Sequence, residues 1–368
     1  MSARRLWKTF LKGIMGNPEE VDFNFDDEAE GLRALPAMRA TKLTKEASAA
    51  SIRQNLEDKI SGKIRNIPFP NMPMMDAALA MLPGSIMALC GSSKTAKSFL
   101  ILQWLWQWMM VEVEAVLLVL ESGCEYHGDR MFTQMAANAD FFNPEKLRTD
   151  TEIAAAALAA EEAWRPWIEY IAPNIHDLSS NRKTVGNVLA WIEREFRGQG
   201  ISQRKAKIVI VDPVTAIAPD PGQRFADHQR LIEGTNDLVK QYQGRVIFVT
   251  HPTKTQRGYR DEEPHLDRLA NGQCYPQFCS AIGWLGAYSR KSAKCDECKG
   301  KGSWKTDGGK AHCKVCAGTG KSQKETKANR EFHWLAVRNA AKPQSVPMFF
   351  NGGTLTYNEV LPNEDPFA

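Results

Sequence analysis

The chain has 368 residues, of which 43% are hydrophobic and 24% charged, and its formal net charge at pH 7 is +4. This composition is typical of a globular protein with one large domain or two. No apolar run reaches the length that spans a bilayer, so we expect no membrane contact. The eight cysteines do not form the regular framework of a secreted disulfide-bonded domain, so we expect a reducing cytoplasm.

Residues 1–65 are predicted to form an N-terminal arm with two helices. The first, at residues 1–16, carries basic residues beside an apolar face and lacks the continuous apolar core of a signal peptide. It is either an organelle transit peptide or a helix that docks on a neighbouring subunit. The second helix is expected at Ala47–Ile64. The arm as a whole is too polar to form a core of its own.

From Ile67 onwards, segments with strand and helix character alternate, which predicts an α/β fold with a mostly parallel sheet. The segments with strand character are Ile86–Cys90, Ala115–Leu120, Glu169–Pro173, Lys207–Pro213, Arg245–Pro252, Ala281–Tyr288, Glu331–Asn339 and Val346–Val360. Helices are expected directly after residue 97, within 129–166, at Thr184–Phe196 and at Phe225–Tyr242. We therefore assign a core domain to residues 66–289, which ends with residues 331–368 after an insertion at 290–330.

The first strand leads into a Gly/Ser/Lys loop and then at once into an apolar helix. The loop consists of Gly91, Ser92, Ser93, Lys94, Thr95, Ala96, Lys97 and Ser98, which approximates the pattern G-x-x-x-x-G-K-[ST] of a P-loop. In a P-loop, backbone N–H groups surround a phosphate, the lysine reaches the β- and γ-oxygens, and the hydroxyl binds Mg²⁺. Ala96 stands where the pattern has a second glycine, so a Cβ lies where the backbone normally approaches the phosphate. The loop predicts binding of ATP and Mg²⁺.

Three polar residues at the ends of later strands are candidates for the same site. Asp212 ends an apolar strand, where a carboxylate can hold Mg²⁺, although an Asp there can also cap a helix. Glu121 follows the second strand and can activate the attacking water, unless it is simply a surface residue of a loop. His251 follows the strand that begins at Arg245 and can sense the γ-phosphate; the alternative is an ordinary strand-end histidine.

The order of these parts resembles the RecA-like motor of DnaB-type replicative helicases, including phage primase-helicases and small plasmid helicases. The resemblance covers about Ile67–Tyr288 and Arg330–Val360. It implies a ring-shaped homo-hexamer that binds ATP between subunits and single-stranded DNA in a central channel. It also implies that Arg338 acts as an arginine finger on the neighbour's ATP, although a strand arginine in a salt bridge is the alternative. Pro264–Leu285 is similar to the DNA-binding loop of that family.

A second motif lies in the insertion at 290–330. Cys295 and Cys298 form one C-x-x-C pair, Cys313 and Cys316 form another, and this spacing is typical of a four-thiolate structural Zn²⁺ site. The repeat C-x-x-C-x-G-x-G resembles the cysteine-rich region of DnaJ. The segment from 290 to 330 has 12 Lys and Arg against 4 Asp and Glu, which leaves 35 against 39 in the remaining chain. This local charge around Trp304 suits nucleic acid or an acidic protein, unless it is only a solvated surface.

These features together predict an ATP-hydrolysing DNA helicase or single-strand translocase of phage or plasmid type that works in DNA replication. The N-terminal arm or the zinc knuckle would contact a replisome partner. A RecA-like recombinase or recombination mediator would share the same motor and is the first alternative. The second alternative is a scaffold that binds nucleic acid without hydrolysing ATP, because Ala96 has weakened the P-loop.

Overall fold

The computed structural model describes residues 45–91, 95–178, 183–200, 203–217, 224–252, 264–269, 274–288, 297–299, 301, 303–306, 309–315, 327–341, 343 and 345–361. The chain divides into two compact units, residues 1–57 and residues 58–368. The predicted helix at residues 1–16 lies outside the described residues. The second predicted arm helix is confirmed, and it spans Lys45–Ile60.

The helices and strands alternate through most of the described chain. The helices are α1 (Lys45–Ile60), α2 (Pro73–Asp76), α3 (Lys97–Met110), α4 (Cys124–Met135), α5 (Pro144–Thr149), α6 (Thr151–Ile171), α7 (Val185–Arg197), α8 (Arg224–Tyr242) and α9 (Cys274–Phe278). The strands are β1 (Ser85–Gly91), β2 (Ala115–Val119), β3 (Ile175–Asp177), β4 (Ile208–Asp212), β5 (Arg245–Val249), β6 (Ala281–Ala287), β7 (Ser303–Thr306), β8 (Gly309–His312), β9 (Arg330–Val337), β10 (Val346–Asn351) and β11 (Thr356–Glu359).

Within the described residues, one sheet has nine strands in the order β11-β10-β9-β6-β1-β5-β4-β2-β3. The strands from β6 to β3 in this order are parallel, and β9, β10 and β11 add antiparallel strands at one side. Strands β1, β2, β4 and β5 are buried along their whole length, as their continuous apolar sequences require. The predicted α/β fold with a mostly parallel sheet is confirmed.

Aromatic side chains of α3 fill the core on one side of the sheet. Trp104 and Trp108 are fully buried, and the ring of Phe69 lies 4.7 Å from that of Trp104. The indole N–H of Trp108 donates to the carbonyl of Pro68 at 2.7 Å, which satisfies its polar group inside the core. The tryptophans of this helix therefore pack the core and do not form a platform for bases.

The predicted strand at Glu169–Pro173 is wrong. These residues form the end of α6 and a short 3₁₀ turn, and the strand of this region is β3 at Ile175–Asp177. Trp164 and Ile168 lie one helical turn apart and both pack against the core, so the helical apolar spacing extends past Pro166 and outweighs the local strand character.

The C-terminal strand β11 is attached to the helix that follows the P-loop. The buried amide of Gln103 donates to the carbonyl of Tyr357 at 2.8 Å and accepts from its N–H at 2.6 Å. The hydroxyl of Tyr357 donates to the carbonyl of Thr95 at 2.5 Å. The last strand of the sheet therefore supports the P-loop directly.

The segment with the paired cysteines lies between β6 and β9, which are neighbours in the main sheet. Its strands β7 and β8 form a separate antiparallel pair. In the part of the chain that the structure describes, no helix is both long and apolar enough to cross a membrane.

Candidate functional site

A cavity of about 310 Å³ opens at the carboxyl edge of the parallel strands. The predicted site residues that line it are Ala96, Lys97, Ser98, Glu121, Asp212 and His251. They come from the P-loop and from the ends of β2, β4 and β5. Parallel strands place their carboxyl ends at one edge of a sheet, which explains how positions more than a hundred residues apart meet here.

Lys97 is a buried residue of the cavity lining, and its ammonium donates to the carbonyl of Gly91 at 2.7 Å. Burial lowers the pKa of Lys97, while the neighbouring Cys90, Asp212 and Glu121 act to raise it. Gly91 is required by packing, because a Cβ there would lie 2.2 Å from the carbonyl oxygen of Leu285 on β6. Residues 92–94 of the predicted loop, which are Ser92, Ser93 and Lys94, lie outside the described residues.

Ser98 and Asp212 meet in the same cavity, although 114 residues separate them in the chain. The hydroxyl of Ser98 donates to the carboxylate of Asp212 at 2.9 Å. Burial raises the pKa of Asp212 to about 6, against the opposing effects of the Ser98 hydrogen bond and the positive charge of Lys97. A buried carboxylate beside a hydroxyl is an oxygen donor set of the kind that Mg²⁺ prefers, and a bound cation would favour the ionised form.

Ala96 adopts the left-handed conformation that the pattern's second glycine would occupy easily, with φ of 62° and ψ of 33°. It is the N-cap of α3, and its carbonyl accepts from the N–H groups of Phe99 and Leu100. A side chain with a Cβ is strained in this region of φ and ψ. Ala96 therefore holds a backbone conformation that glycine would adopt without strain.

Glu121 and His251 lie in the loops that follow β2 and β5. Glu121 is exposed to solvent at the cavity wall. Burial and the positive charge of Lys97 lower the pKa of His251, so this imidazole is neutral at pH 7. Its buried Nδ1 has no hydrogen-bond partner among the described residues.

Arg130 also lines the cavity and was not predicted from the sequence. It lies on α4, with its guanidinium 4.0 Å from the ring centre of Tyr126 and 4.7 Å from that of Phe99. His127, one turn earlier on the same face of α4, lines the cavity too, and burial lowers its pKa to about 4. The spacing of His127 and Arg130 on a helix that starts just after Glu121 is the signal that could have identified them.

Arg338 does not line this cavity. It follows Val337, which pairs with Ala281 at the start of β6, whereas Gly91 pairs with Leu285 farther along the same strand. Four residues of strand correspond to about 13 Å, so Arg338 lies at the opposite edge of the sheet. Its side chain is exposed and donates to the backbone carbonyls of Pro276 and Gln277.

The other predicted sites fall partly outside the described residues. Cys298 and Cys313 are buried and pack together, whereas Cys295 and Cys316 are not described. Among the described residues there is no group of three or more His, Cys, Asp or Glu side chains that could hold a metal ion. Of the predicted DNA-binding segment Pro264–Leu285, residues 270–273 are not described.

No protein-family model and no curated protein matches the chain. Solved structures do match. One, of a DnaB-like replicative helicase described with its interactions with primase, has 13% identity and a TM-score of 0.60 over 85% of this chain and 69% of that one. Another, of an ATPase domain, has 13% identity and a TM-score of 0.61 over 87% of this chain and 100% of that one. The chain has a RecA-like fold. The fold class predicted from the P-loop and the alternating strands is therefore confirmed.

Proposed function

We propose that this RecA-like chain is the motor of a DnaB-type helicase, of phage or plasmid kind, that hydrolyses ATP and moves along single-stranded DNA during replication. The observation that carries the proposal is the hydrogen bond between Ser98 and Asp212 beside the buried Lys97. This arrangement places a cation, a hydroxyl and a carboxylate in one cavity of suitable size for the phosphates of ATP.

Each residue of the cavity has a defined task in phosphoryl transfer. The ammonium of Lys97 would exchange its bond to the Gly91 carbonyl for bonds to the β- and γ-phosphate oxygens. Ser98 and Asp212 would hold Mg²⁺, which neutralises charge on the phosphates. Arg130, held by the Tyr126 ring, supplies a further positive charge at the cavity wall.

Glu121 is the proposed general base. It is exposed at the cavity mouth, where a water molecule can reach it and lie in line with a bound γ-phosphate. Neutral His251, which lines the cavity, would contact the γ-phosphate and lose that contact after hydrolysis. Pro252, the next residue, forms a bridge with Leu269. A change at His251 can therefore pass through this bridge to Leu269, which belongs to the segment Pro264–Leu285 that we propose contacts DNA.

The position of Arg338 supports a ring assembly. Because Arg338 lies at the edge of the sheet opposite its own cavity, it can complete a site only on another subunit. We therefore propose a homo-hexamer in which Arg338 acts in trans on the neighbour's ATP. Arginine fingers in related reactions contribute about 10³- to 10⁵-fold to the rate.

We further propose that residues 290–330 bind one structural Zn²⁺ through Cys295, Cys298, Cys313 and Cys316. The support is that Cys298 and Cys313 are buried together, one from each C-x-x-C pair, in a segment whose neighbouring Lys314 and Val315 are exposed. The exposed Trp304 on β7 would let the knuckle contact DNA or a replisome protein. Metal analysis of the purified protein tests this: one zinc per chain is expected, and Cys298→Ser should lose it.

The central test is the steady-state ATPase rate with and without single-stranded DNA. We expect DNA to stimulate turnover, and Glu121→Gln to lower the stimulated rate at least about a hundredfold. Glu125→Gln is the matched control, because Glu125 is exposed on the first turn of α4 and does not line the cavity. Equal rates in the two variants would remove Glu121 from the mechanism.

Two further measurements separate the alternatives. Strand displacement on a forked duplex supports a helicase, whereas filaments on single-stranded DNA without displacement indicate a RecA-like recombinase. Nucleic-acid binding without any turnover, with or without DNA, indicates the scaffold. Mixing Arg338→Ala subunits with Glu121→Gln subunits tests action in trans, because mixed rings regain some active interfaces only if Arg338 serves a neighbour.

A further inference from the structure

A second cavity lies at the opposite edge of the sheet from the candidate active site, where the parallel strands begin. Its volume is about 470 Å³, within the usual range for ligand sites. Lys207 and Arg245 line it at the starts of β4 and β5, and Lys63 and Arg65 line it from the segment after α1. Every lining residue belongs to the unit formed by residues 58–368.

The charges around this cavity are strongly unbalanced. Four cationic side chains line it, and Asp58 is the one carboxylate among the described lining residues. Asp58 already forms an ion pair with Lys63, with 3.2 Å between Oδ1 and Nζ. Burial, together with the positive charge of Arg65, lowers the pKa of Arg245 to about 10, so these two arginines repel each other. An anion in the cavity would relieve this repulsion.

Arg245 is the fixed part of the site. The residue is 93% buried, and its guanidinium donates to the carbonyls of Met81 at 2.9 Å, Gln243 at 3.3 Å and Arg65 at 3.2 Å. These bonds hold the planar group in place, yet they are to neutral acceptors. An arginine has five N–H donors, so this pattern leaves donors for a further acceptor. A buried cation without a carboxylate partner is costly, and it is more easily retained where an anion binds.

The rest of the cavity suits an anion with several oxygens. The ammonium groups of Lys63 and Lys207 lie on exposed, flexible side chains that can close over such a group, while Arg245 offers a rigid fork. Ile64, Pro83 and Val113 form an apolar wall beside the charges. Phosphoryl groups combine high charge with several acceptor oxygens, which matches a guanidinium flanked by two ammonium groups.

We propose that this cavity is a binding site for a small phosphoryl anion, separate from the P-loop. Its floor is the fixed guanidinium of Arg245 and its rim is formed by Lys63, Arg65 and Lys207. The proposal is independent of the proposed ATPase activity, because no residue of the cavity at the P-loop takes part in it.

The test is calorimetric titration of the full-length Lys97→Met protein with pyrophosphate, without Mg²⁺ and at low salt. Lys97→Met removes the phosphate-binding lysine of the P-loop, so the remaining affinity reports the second site. We expect saturable binding of one pyrophosphate per chain. Adding Lys63→Gln and Lys207→Gln should lower the affinity at least about tenfold, since each removes a charge-assisted hydrogen bond.

The control adds Lys146→Gln and Lys327→Gln to the same background. These two lysines are exposed and do not line the cavity, so the net charge changes equally while the site stays intact. The control should bind pyrophosphate within about twofold of its parent. The proposal is overturned if the parent shows no binding, if both double substitutions weaken binding equally, or if the cavity lysines affect only binding of a single-stranded oligonucleotide. Lys63, Lys207, Lys146 and Lys327 are exposed, so these four substitutions should not disturb the fold, and all double variants share the same Lys97→Met background. Arg245 is left unchanged because it joins three segments.

Discussion

Ala96 has a strained backbone conformation, although it lies in the P-loop. We therefore expect that replacing it with glycine stabilises the protein. An alanine in the left-handed region costs about 1–2 kcal/mol, and Ala96 adopts this region with φ of 62°. Glycine also gives the unfolded chain more conformational entropy, which lowers the free energy of unfolding by about 0.4–1 kcal/mol. The substitution also removes a half-buried methyl group. This lowers the free energy of unfolding by a fraction of the roughly 0.8 kcal/mol that a fully buried group contributes. The net gain in the free energy of unfolding is about 0.5 kcal/mol.

Ala137 provides the matched control for this prediction. It has φ of 51° but is exposed at the end of α4, away from the cavity. Ala137→Gly should stabilise the protein by about 1 kcal/mol, because no buried methyl group is lost. Urea unfolding of both variants measures these changes. Nucleotide affinity should rise in Ala96→Gly alone, since the backbone at residue 96 can then approach a phosphate. If Ala96→Gly is destabilising while Ala137→Gly is stabilising, the reasoning about strain in the P-loop is wrong.

Other substitutions test packing, burial and support of the P-loop. Gly91→Ala should lower the free energy of unfolding by at least about 2 kcal/mol and abolish nucleotide binding, because the added Cβ would lie 2.2 Å from a backbone carbonyl oxygen. Gly128→Ala is the control, because a Cβ at this position would have no atom within 4 Å. It should leave the stability measured by urea unfolding unchanged or raise it. Burial raises the pKa of Glu195 from 4.5 to about 7, so the folded protein holds a proton that the unfolded chain has lost, and stability should fall as the pH rises through this window. Glu195→Gln should flatten that pH dependence and add about 2 kcal/mol at pH 8. Gln103→Ala should cost about 2–3 kcal/mol and weaken nucleotide binding, because it leaves the N–H and carbonyl of Tyr357 without their buried partner; a thermal melt with and without ATP measures both effects.

The sequence predicted well those features that depend on strand order. Lys97, Asp212 and His251 were placed at one edge of the sheet because each follows an apolar strand, and the structure brings them together. Features that depend on tertiary packing could not be predicted in this way. The segment at Glu169–Pro173 has strand character in the sequence. It is largely helical in the structure because α6 packs against the core. The zinc site and the DNA-binding loop remain predictions.

Arg245 is a second residue whose environment could not be predicted from the sequence. In the sequence it is only the first residue of a strand. Its burial and its bonds to the carbonyls of Met81 and Arg65, which are distant in the chain, become visible when the starts of β1, β4 and β5 meet. Local patterns identify the residues that precede or follow a strand, but they do not show which of those residues will share a cavity. That depends on the order of strands in the sheet.

The bond between Tyr357 and Thr95 has a consequence for how the protein is made. It joins positions 262 residues apart, so the loop that begins at Gly91 leaves the ribosome long before its support does. At about 5–20 residues per second, roughly 13–50 s of synthesis separate the two. During that interval the nascent chain has a P-loop sequence without β11 beside it. Nucleotide binding should therefore begin late in translation, and a chain that stops before β11 should not compete with complete chains for ATP.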